Sequence, residues 1–256
     1  MAKMGHHLID GQIVNYETLG RGRPVIFLHS WVGSWSYWFP AMQVASKSFR
    51  AYALDMWGFG ESATNPEHYT IDQQSTLLNS FLDEHGIGKV AIIGHGLGAL
   101  VGFNFCVRWN QSVDRIMAIN CPLTYNSINK RVWASSISDL RHWLGSKTPE
   151  ATAALADASK TDPRAVTESI RSFQSDGLFE EMCKTQISCM LVYGQNDPAI
   201  LAPATDILHS LPDMMHHIVF DKSGHFPMID EPVRFNQLIT DFLWLDSGIS
   251  PRELRI

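Results

Sequence analysis

The sequence predicts a single α/β domain built on a mostly parallel β-sheet. Short apolar runs such as residues 24–29 (PVIFLH) and 89–94 (KVAIIG) are typical of strands buried on both faces, as in a parallel sheet. Segments with helical spacing of apolar residues alternate with these runs, which indicates helices that cover the sheet. Near the N-terminus, Asp10 and Gly11 stand between alternating residues and predict an antiparallel hairpin.

The remaining elements follow in chain order. Strands are predicted within 8–16 (both arms of the hairpin) and at 24–29, 50–55, 89–94, 113–120, 188–194 and 216–220. Together they predict about eight strands. Helices are predicted at 34–46, 71–85, 97–109, 203–210 and 231–245. The polar tail, 247–256, is expected to be loosely held.

The segment from residue 122 to residue 184 has a different pattern. It contains no apolar strand run, and helix-forming residues dominate 148–160 and 165–181. We therefore expect a helical cap at 122–184, inserted into a core that is made of residues 1–121 and 185–256.

Composition and charge exclude several classes of protein. Of 256 residues, 45% are hydrophobic and 18% are charged, which is ordinary for a globular domain and disfavours disorder. The net charge of −6, without a basic stripe, disfavours a nucleic-acid partner. No apolar stretch approaches the roughly 20 residues of a membrane span, so no membrane association is expected. The oligomeric state stays open.

The cysteine and histidine patterns indicate neither disulfides nor a metal site. The four cysteines form no CxxC pair, and the N-terminus has no apolar signal-peptide segment, so we expect reduced thiols and a cytoplasmic protein. The paired histidines, His6-His7 and His216-His217, lack the spacing of metal ligands on a helix. We expect no metal and no cofactor.

Polar and glycine-rich loops follow five of the predicted strands. In open α/β sheets, ligands bind beyond the carboxyl ends of the strands. These loops are residues 30–31, 56–62, 95–98, 195–198 and 221–227. We therefore expect them to converge on one edge of the sheet and to bind a small molecule there.

Several of these loops carry a recognisable set of motifs. The segments are 29–31 (HSW), 55–62 (DMWGFGES), 94–98 (GHGLG), 194–198 (GQNDP) and 224–227 (GHFP). In this order they resemble the α/β-hydrolase superfamily, in its small esterase, C–C hydrolase and dehalogenase-like branch. The resemblance implies a sharp strand-to-helix turn at 94–98 whose apex, residue 96, is the position of the nucleophile.

The same resemblance implies roles for other residues. His225 would be the general base, and Asp197 would orient it. The main-chain N–H groups of Trp31 and Leu97 would form an oxyanion hole. Ser30 and Trp57 would contact the substrate. Alone, Asp197 could be only a turn residue and His225 only a loop histidine, but their joint placement after the last two strands favours a pair.

The sequence departs from the family pattern at two positions. The family has Ser, Cys or Asp at the apex, whereas this chain has Gly96, which has no side chain to attack a substrate. Ser30 stands where the family usually has glycine. His95 beside the apex is disfavoured as a substitute nucleophile, because histidine is common there without a catalytic role. Whether Gly96 is natural or engineered stays open.

Three functions are compatible with these observations. The first is a hydrolase for a small apolar ester, lactone or C–C substrate whose nucleophile is missing, so that covalent hydrolysis is disabled. The second is an enzyme in which His225 and Asp197 act as a base without a covalent intermediate. The third is a ligand-binding pseudoenzyme.

Overall fold

The strands form one sheet of eight strands in the computed structural model, which describes residues 3–145, 147–173 and 177–254. Their order is β1-β2-β4-β3-β5-β6-β7-β8. The first two strands form an antiparallel hairpin, β2 pairs antiparallel with β4, and the other neighbours are parallel. The strands are β1 (Lys3–Ile9), β2 (Gln12–Gly20), β3 (Arg23–Leu28), β4 (Phe49–Leu54), β5 (Val90–His95), β6 (Val113–Ile119), β7 (Ser188–Gly194) and β8 (Met215–Phe220). The predicted eight-stranded, mostly parallel sheet is confirmed.

The hairpin turn has the geometry that its sequence predicts. Asp10 and Gly11 both have positive φ, 52° and 74°. This is the backbone of the two-residue turns whose twist matches that of the flanking strands. Ile9 then pairs with Gln12 directly across the turn.

Strands β3 and β5 are neighbours in the middle of the sheet, and their register positions the loops that follow them. They run parallel, and Leu28 near the end of β3 lies opposite Gly94 in β5. The loop after β3 and the turn after β5 therefore start side by side. This pairing brings residues 30 and 96 together although they are far apart in the chain.

Helices cover the sheet, as predicted. They are α1 (Phe39–Ala45), α2 (Ile71–Glu84), α3 (Leu97–Arg108), α4 (Arg131–Ala134), α5 (Ile137–Leu144), α6 (Pro149–Ala154), α7 (Pro163–Ser172), α8 (Leu178–Lys184), α9 (Thr205–His209), α10 (Pro227–Asp230) and α11 (Pro232–Trp244). Helix α3 is apolar nearly all round because it contacts β5 on one side and α2 and α8 on others. No helix in the described ranges is both long and apolar enough to cross a membrane.

The chain between β6 and β7 contains the short helices α4 to α8 and a 3₁₀ helix at Ala156–Lys160. Helix α7 begins at Pro163, where the Asp162 side chain accepts a hydrogen bond from the N–H of Arg164. Part of the helix-rich segment 165–181, residues 174–176, lies outside the described residues.

Two local expectations differ from the structure. The helix predicted at 203–210 is only Thr205–His209, because Ala204 at its N-cap has no side chain to accept a hydrogen bond from the first N–H groups. The tail was expected to be loosely held, and for residues 250–254 this is wrong. Arg252 donates hydrogen bonds to the carbonyl oxygens of Leu211 and Met215, which fasten this segment to the start of β8.

Candidate active site

The turn after β5 has the conformation of a nucleophile elbow. Gly96 has φ 52° and ψ −108°, between the end of β5 and the first residue of α3. The chain crosses itself closely here. A β-carbon on Gly94 would lie 2.4 Å from the Gly98 carbonyl oxygen, and one on Gly98 would lie 2.4 Å from the Leu28 carbonyl oxygen. Glycine at both positions is therefore needed for the crossing.

His225 and Asp197 form a buried pair at this edge of the sheet. His225 Nδ1 lies 2.9 Å from Asp197 Oδ2, and each side chain is 1% exposed. The other carboxylate oxygen accepts a hydrogen bond from the N–H of Ala199 at 2.8 Å. Because a carboxylate only accepts, we assign the proton of the neutral imidazole to Nδ1, which leaves the lone pair of Nε2 free to accept.

The Ser30 hydroxyl lies at that lone pair. Ser30 Oγ is 3.2 Å from His225 Nε2, and Ser30 is fully buried. A β-carbon on residue 96 would lie only 2.2 Å from the same Oγ. The Ser30 hydroxyl therefore occupies the space that a side chain on residue 96 would fill. From the sequence, Ser30 is expected to contact substrate, and its contact with His225 is not predicted.

The main chain of Ser30 is held on both sides. Its N–H donates to Tyr37 Oη at 2.8 Å, and its carbonyl oxygen lies 2.8 Å from His29 Nδ1. His29 Nε2 accepts a hydrogen bond from the N–H of Met56 at 3.0 Å, so Nδ1 carries the proton and donates to Ser30. Burial lowers the pKa of His29 to about 4, which keeps this ring neutral near pH 7.

His95 packs behind the pair. Its Nδ1 lies 3.0 Å from Tyr37 Oη, and its ring centroid is 4.6 Å from that of His225. Burial, aided by the nearby His225, holds the pKa of His95 well below its usual value. Tyr37 thus links His95 to the loop that carries Ser30.

The two amides predicted to form an oxyanion hole flank Ser30 and Gly96 in sequence. In residues 3–145, 147–173 and 177–254, no group accepts a hydrogen bond from the main-chain N–H of Trp31 or of Leu97. The Leu97 amide is at the start of α3, where helix N–H groups have no partner within the helix. Both amides therefore have no hydrogen-bond acceptor within the described residues.

The two predicted tryptophans behave differently. The Trp31 indole covers the elbow, because its Cζ3 would be 3.3 Å from a β-carbon on residue 96, and its Nε1 donates to Ser169 Oγ in α7 at 3.0 Å. Trp57 is buried, and its main chain exchanges two hydrogen bonds with the side chain of Gln74. No hydrogen bond or ring contact in the described chain joins Trp57 to Ser30 or His225.

Asn120 also holds the loop that carries His225, a role that the sequence does not predict. Its side chain donates to the carbonyl oxygen of His225 at 2.9 Å and accepts from the N–H of Gly194 at 2.9 Å. It thereby ties the end of β7 to the loop of the base. Asn120 directly follows the end of β6, and its φ is 43°. Asparagine tolerates this positive φ better than most residues. The predicted strand 113–120 includes Asn120 as its last residue, whereas β6 ends at Ile119.

The described residues contain no group of three His, Cys, Asp or Glu side chains arranged to hold a metal ion. The chemistry that the arrangement offers is proton transfer at His225 Nε2, next to the Ser30 hydroxyl.

A fold of this topology with an elbow, a His–Asp pair and free amides defines an α/β hydrolase. The chain belongs to this family, since residues 23–162, more than half of its length, match the model described as alpha/beta hydrolase fold.

Comparison with individual proteins agrees with the family. The protein named "Putative carbamate hydrolase RutD" from a strain of Escherichia coli is 25% identical over 243 residues, covering 86% of this chain and 91% of that protein. A serine-to-glycine mutant of the N-acyl homoserine lactonase AidH, complexed with N-hexanoyl homoserine lactone, matches with a TM-score of 0.81 at 19% identity, covering 94% of this chain and 97% of the other. The esterase EaEST from Exiguobacterium antarcticum matches with a TM-score of 0.82 at 15% identity, covering 95% and 99%. These two structural matches establish the fold alone.

Proposed function

We propose that this chain hydrolyses a small apolar carboxylic ester or lactone, with His225 as the general base. The observation that carries the proposal is the 2.9 Å contact between His225 Nδ1 and Asp197 Oδ2, which leaves Nε2 free to accept a proton. Asp197 fixes the tautomer of the ring and stabilises the imidazolium that forms during the reaction. Residue 96 supplies no nucleophile, so covalent attack from the apex of the elbow is disabled.

The amides of Trp31 and Leu97 are the proposed oxyanion hole. Both lack an acceptor within the part of the chain that the structure describes. Donors that are fixed in the main chain can stabilise the negative charge on the carbonyl oxygen in the transition state without reorganising. This function does not depend on the side chain of residue 96, and so it is retained with glycine at the apex.

The substrate class is supported by the relatives. RutD is named for carbamates, AidH for a lactone and EaEST as an esterase, and all three names refer to an acyl carbon attached to a heteroatom. A C–C substrate is the alternative. Trp31 and Trp57 are the proposed apolar contacts of the substrate.

We also propose a reducing, cytoplasmic location, which the four free thiols support.

We further propose that residues 122–184 act as a cap on the core formed by 1–121 and 185–256. Helix α7 lies against the site, since Ser169 accepts from the Trp31 indole and the N–H of Asp162 donates to the Gly58 carbonyl at 2.8 Å. Ser30, Trp31 and His225 are each at most 1% exposed. A substrate therefore reaches them only when residues that cover them move.

The test is hydrolysis of p-nitrophenyl butyrate and N-hexanoyl homoserine lactone by the parent chain and by His225→Ala. We expect turnover by the parent and a loss of about 10³-fold or more in kcat/KM in the variant. His217→Ala, a partly buried histidine on β8, is the matched control and should keep parental activity. If no ester or lactone is turned over but one of them raises the melting temperature, the chain is a ligand-binding protein and the proposal is wrong.

A further inference from the structure

We propose that Ser30 is the nucleophile of this site and that it replaces the missing side chain at residue 96. This inference rests on the proposed hydrolase function and assigns its attacking group. Its basis is a continuous set of contacts in which Ser30 Oγ lies 3.2 Å from His225 Nε2 and His225 Nδ1 lies 2.9 Å from Asp197 Oδ2. Both distances are within the reach required between a nucleophile, its base and the group that orients the base.

The directions of the hydrogen bonds agree with this role. Asp197 accepts from Nδ1, so Nε2 can only accept, and the Ser30 hydroxyl is its donor. The proton is therefore already directed from Oγ to Nε2, as activation of a serine requires. All three side chains are at most 1% exposed, so water does not compete for these bonds at the surface.

Gly96 is what allows Ser30 to reach the base. Any residue with a β-carbon at position 96 would place that atom 2.2 Å from Ser30 Oγ. A side chain at position 96 would therefore require the Ser30 hydroxyl to move away from this space. Ser30 and Gly96 each depart from the family pattern, and together they leave one hydroxyl beside His225.

The main chain of Ser30 is prepared for the role as well. Tyr37 accepts from its N–H and His29 donates to its carbonyl oxygen, both at 2.8 Å. These bonds fix the backbone on either side of the reacting oxygen, which lowers the cost of reaching the attack geometry. The next residue, Trp31, supplies one of the two unpaired amides.

The proposed reaction is an acyl transfer through Ser30. Ser30 Oγ forms a bond to the carbonyl carbon of the ester as its proton passes to His225 Nε2. The carbon–oxygen bond to the leaving alcohol breaks, and that alcohol takes the proton from His225. Water then attacks the acyl-serine and gives one proton to His225. The acid is released as Ser30 Oγ takes that proton back.

The experiment compares Ser30→Ala, Gly96→Ser and the double variant Ser30→Gly/Gly96→Ser with the parent. Each protein is treated with a fluorophosphonate, which phosphonylates an activated serine without requiring the true substrate, and the labelled peptide is identified by mass spectrometry. We expect the label on residue 30 in the parent and no label in Ser30→Ala. We expect the double variant to be labelled at residue 96, since it restores the family arrangement.

Ester turnover gives a second readout. Ser30→Ala should lower kcat by on the order of 10³-fold or more. Gly96→Ser alone should also lower it, because its side chain overlaps the Ser30 hydroxyl. Ser75→Ala is the matched control. Ser75 is equally buried, and its hydroxyl donates to the Val101 carbonyl oxygen, away from His225, so its loss should leave labelling and kcat unchanged.

The outcomes separate this inference from the proposed function. If the parent is not labelled but the double variant is, the probe reaches the site and Ser30 is not activated, so the inference is wrong. If Ser30→Ala is as active as the parent while His225→Ala is inactive, hydrolysis stands with water as the nucleophile and the inference is again wrong. If the parent labels at residue 30 but hydrolyses no ester or lactone, the inference stands and the substrate class is wrong.

Discussion

The loop after β3 and the turn after β5 lie side by side, and they differ in whether they place a side chain in the space beside His225. The turn keeps the positive φ and close crossing of a nucleophile elbow but has no side chain at its apex. The loop has an ordinary serine whose hydroxyl enters the space above that apex. The backbone of the elbow is therefore present at one position, while the hydroxyl beside His225 comes from another.

The turn and the loop also differ in the backbone strain that a side chain would cause. A side chain at the apex must adopt a φ of about 52°, which costs on the order of 1–3 kcal/mol for a residue other than glycine. Ser30 is not among the residues with positive φ, and its backbone is held by two hydrogen bonds. Moving the hydroxyl from the turn to the loop relieves that strain without separating it from the base.

The largest expected effect on kcat comes from disturbing His225, the proposed base for a hydroxyl at residue 30 or at residue 96. Asp197→Asn places an amide beside Nδ1, so the ring can keep its proton on Nε2 and lose its basic atom there. We expect kcat to fall by about 10⁴-fold. The fall should be similar in the parent and in Ser30→Gly/Gly96→Ser, measured with p-nitrophenyl butyrate. A much smaller loss in the parent alone would show that only the apex hydroxyl depends on this base.

The next prediction concerns His29, which holds the loop after β3 through the Ser30 carbonyl oxygen. It is tested through the pH dependence of the free energy of unfolding. Burial lowers the pKa of His29 from its usual 6.5 to about 4. The unfolded chain therefore binds more protons between these values, and the free energy of unfolding falls as the pH falls through that range. The shift corresponds to about 3 kcal/mol at about 1.4 kcal/mol per pKa unit. His29→Asn should reduce the acid-induced loss by this amount, measured by urea unfolding between pH 7 and pH 4.

Asp55 supplies a control of opposite sign. Burial raises its pKa from 3.8 to about 6, despite hydrogen bonds from the N–H groups of Trp35 and Glu61. The folded chain then binds more protons between pH 4 and pH 6, so this carboxyl makes the free energy of unfolding rise as the pH falls. His29→Asn leaves this contribution in place. Parallel stability curves for the parent and the His29 variant would contradict the assignment.

The sequence predicted the sheet from local apolar patterns, and it predicted the elbow and the His–Asp pair from the resemblance of their loop motifs to the family. Apolar runs predict buried strands, and glycines at 94 and 98 indicate a close crossing, which the structure shows. The contact of Ser30 with His225 joins residues 195 positions apart, and only the packing of loops across the sheet edge determines it. Asn120 was missed for the same reason, since its partners belong to β7 and to the His225 loop.

A smaller effect should separate steric overlap from backbone strain at the elbow. Gly96→Ala brings a β-carbon into the space of the Ser30 hydroxyl and forces a positive φ on alanine. In the Ser30→Gly background only the second cost remains. We expect Gly96→Ala to lower the free energy of unfolding by about 2 kcal/mol more in the parent than in that background, measured by urea unfolding. Equal costs in both backgrounds would mean that the two loops do not compete for the same space.

The smallest expected effect concerns the contact of the loop with α7. Ser169→Ala removes the acceptor of the Trp31 indole N–H, a buried bond of 3.0 Å, and leaves that donor unpaired. The stability cost should be about 1–2 kcal/mol. Because Trp31 follows Ser30 directly and covers Gly96, the variant should also raise KM more than it lowers kcat. Ser159→Ala, whose exposed hydroxyl donates to the Ala156 carbonyl oxygen, is the control and should change neither. A fall in kcat with KM unchanged would instead place Ser169 among the groups that position Ser30, and α7 would then act on the loop rather than on substrate entry.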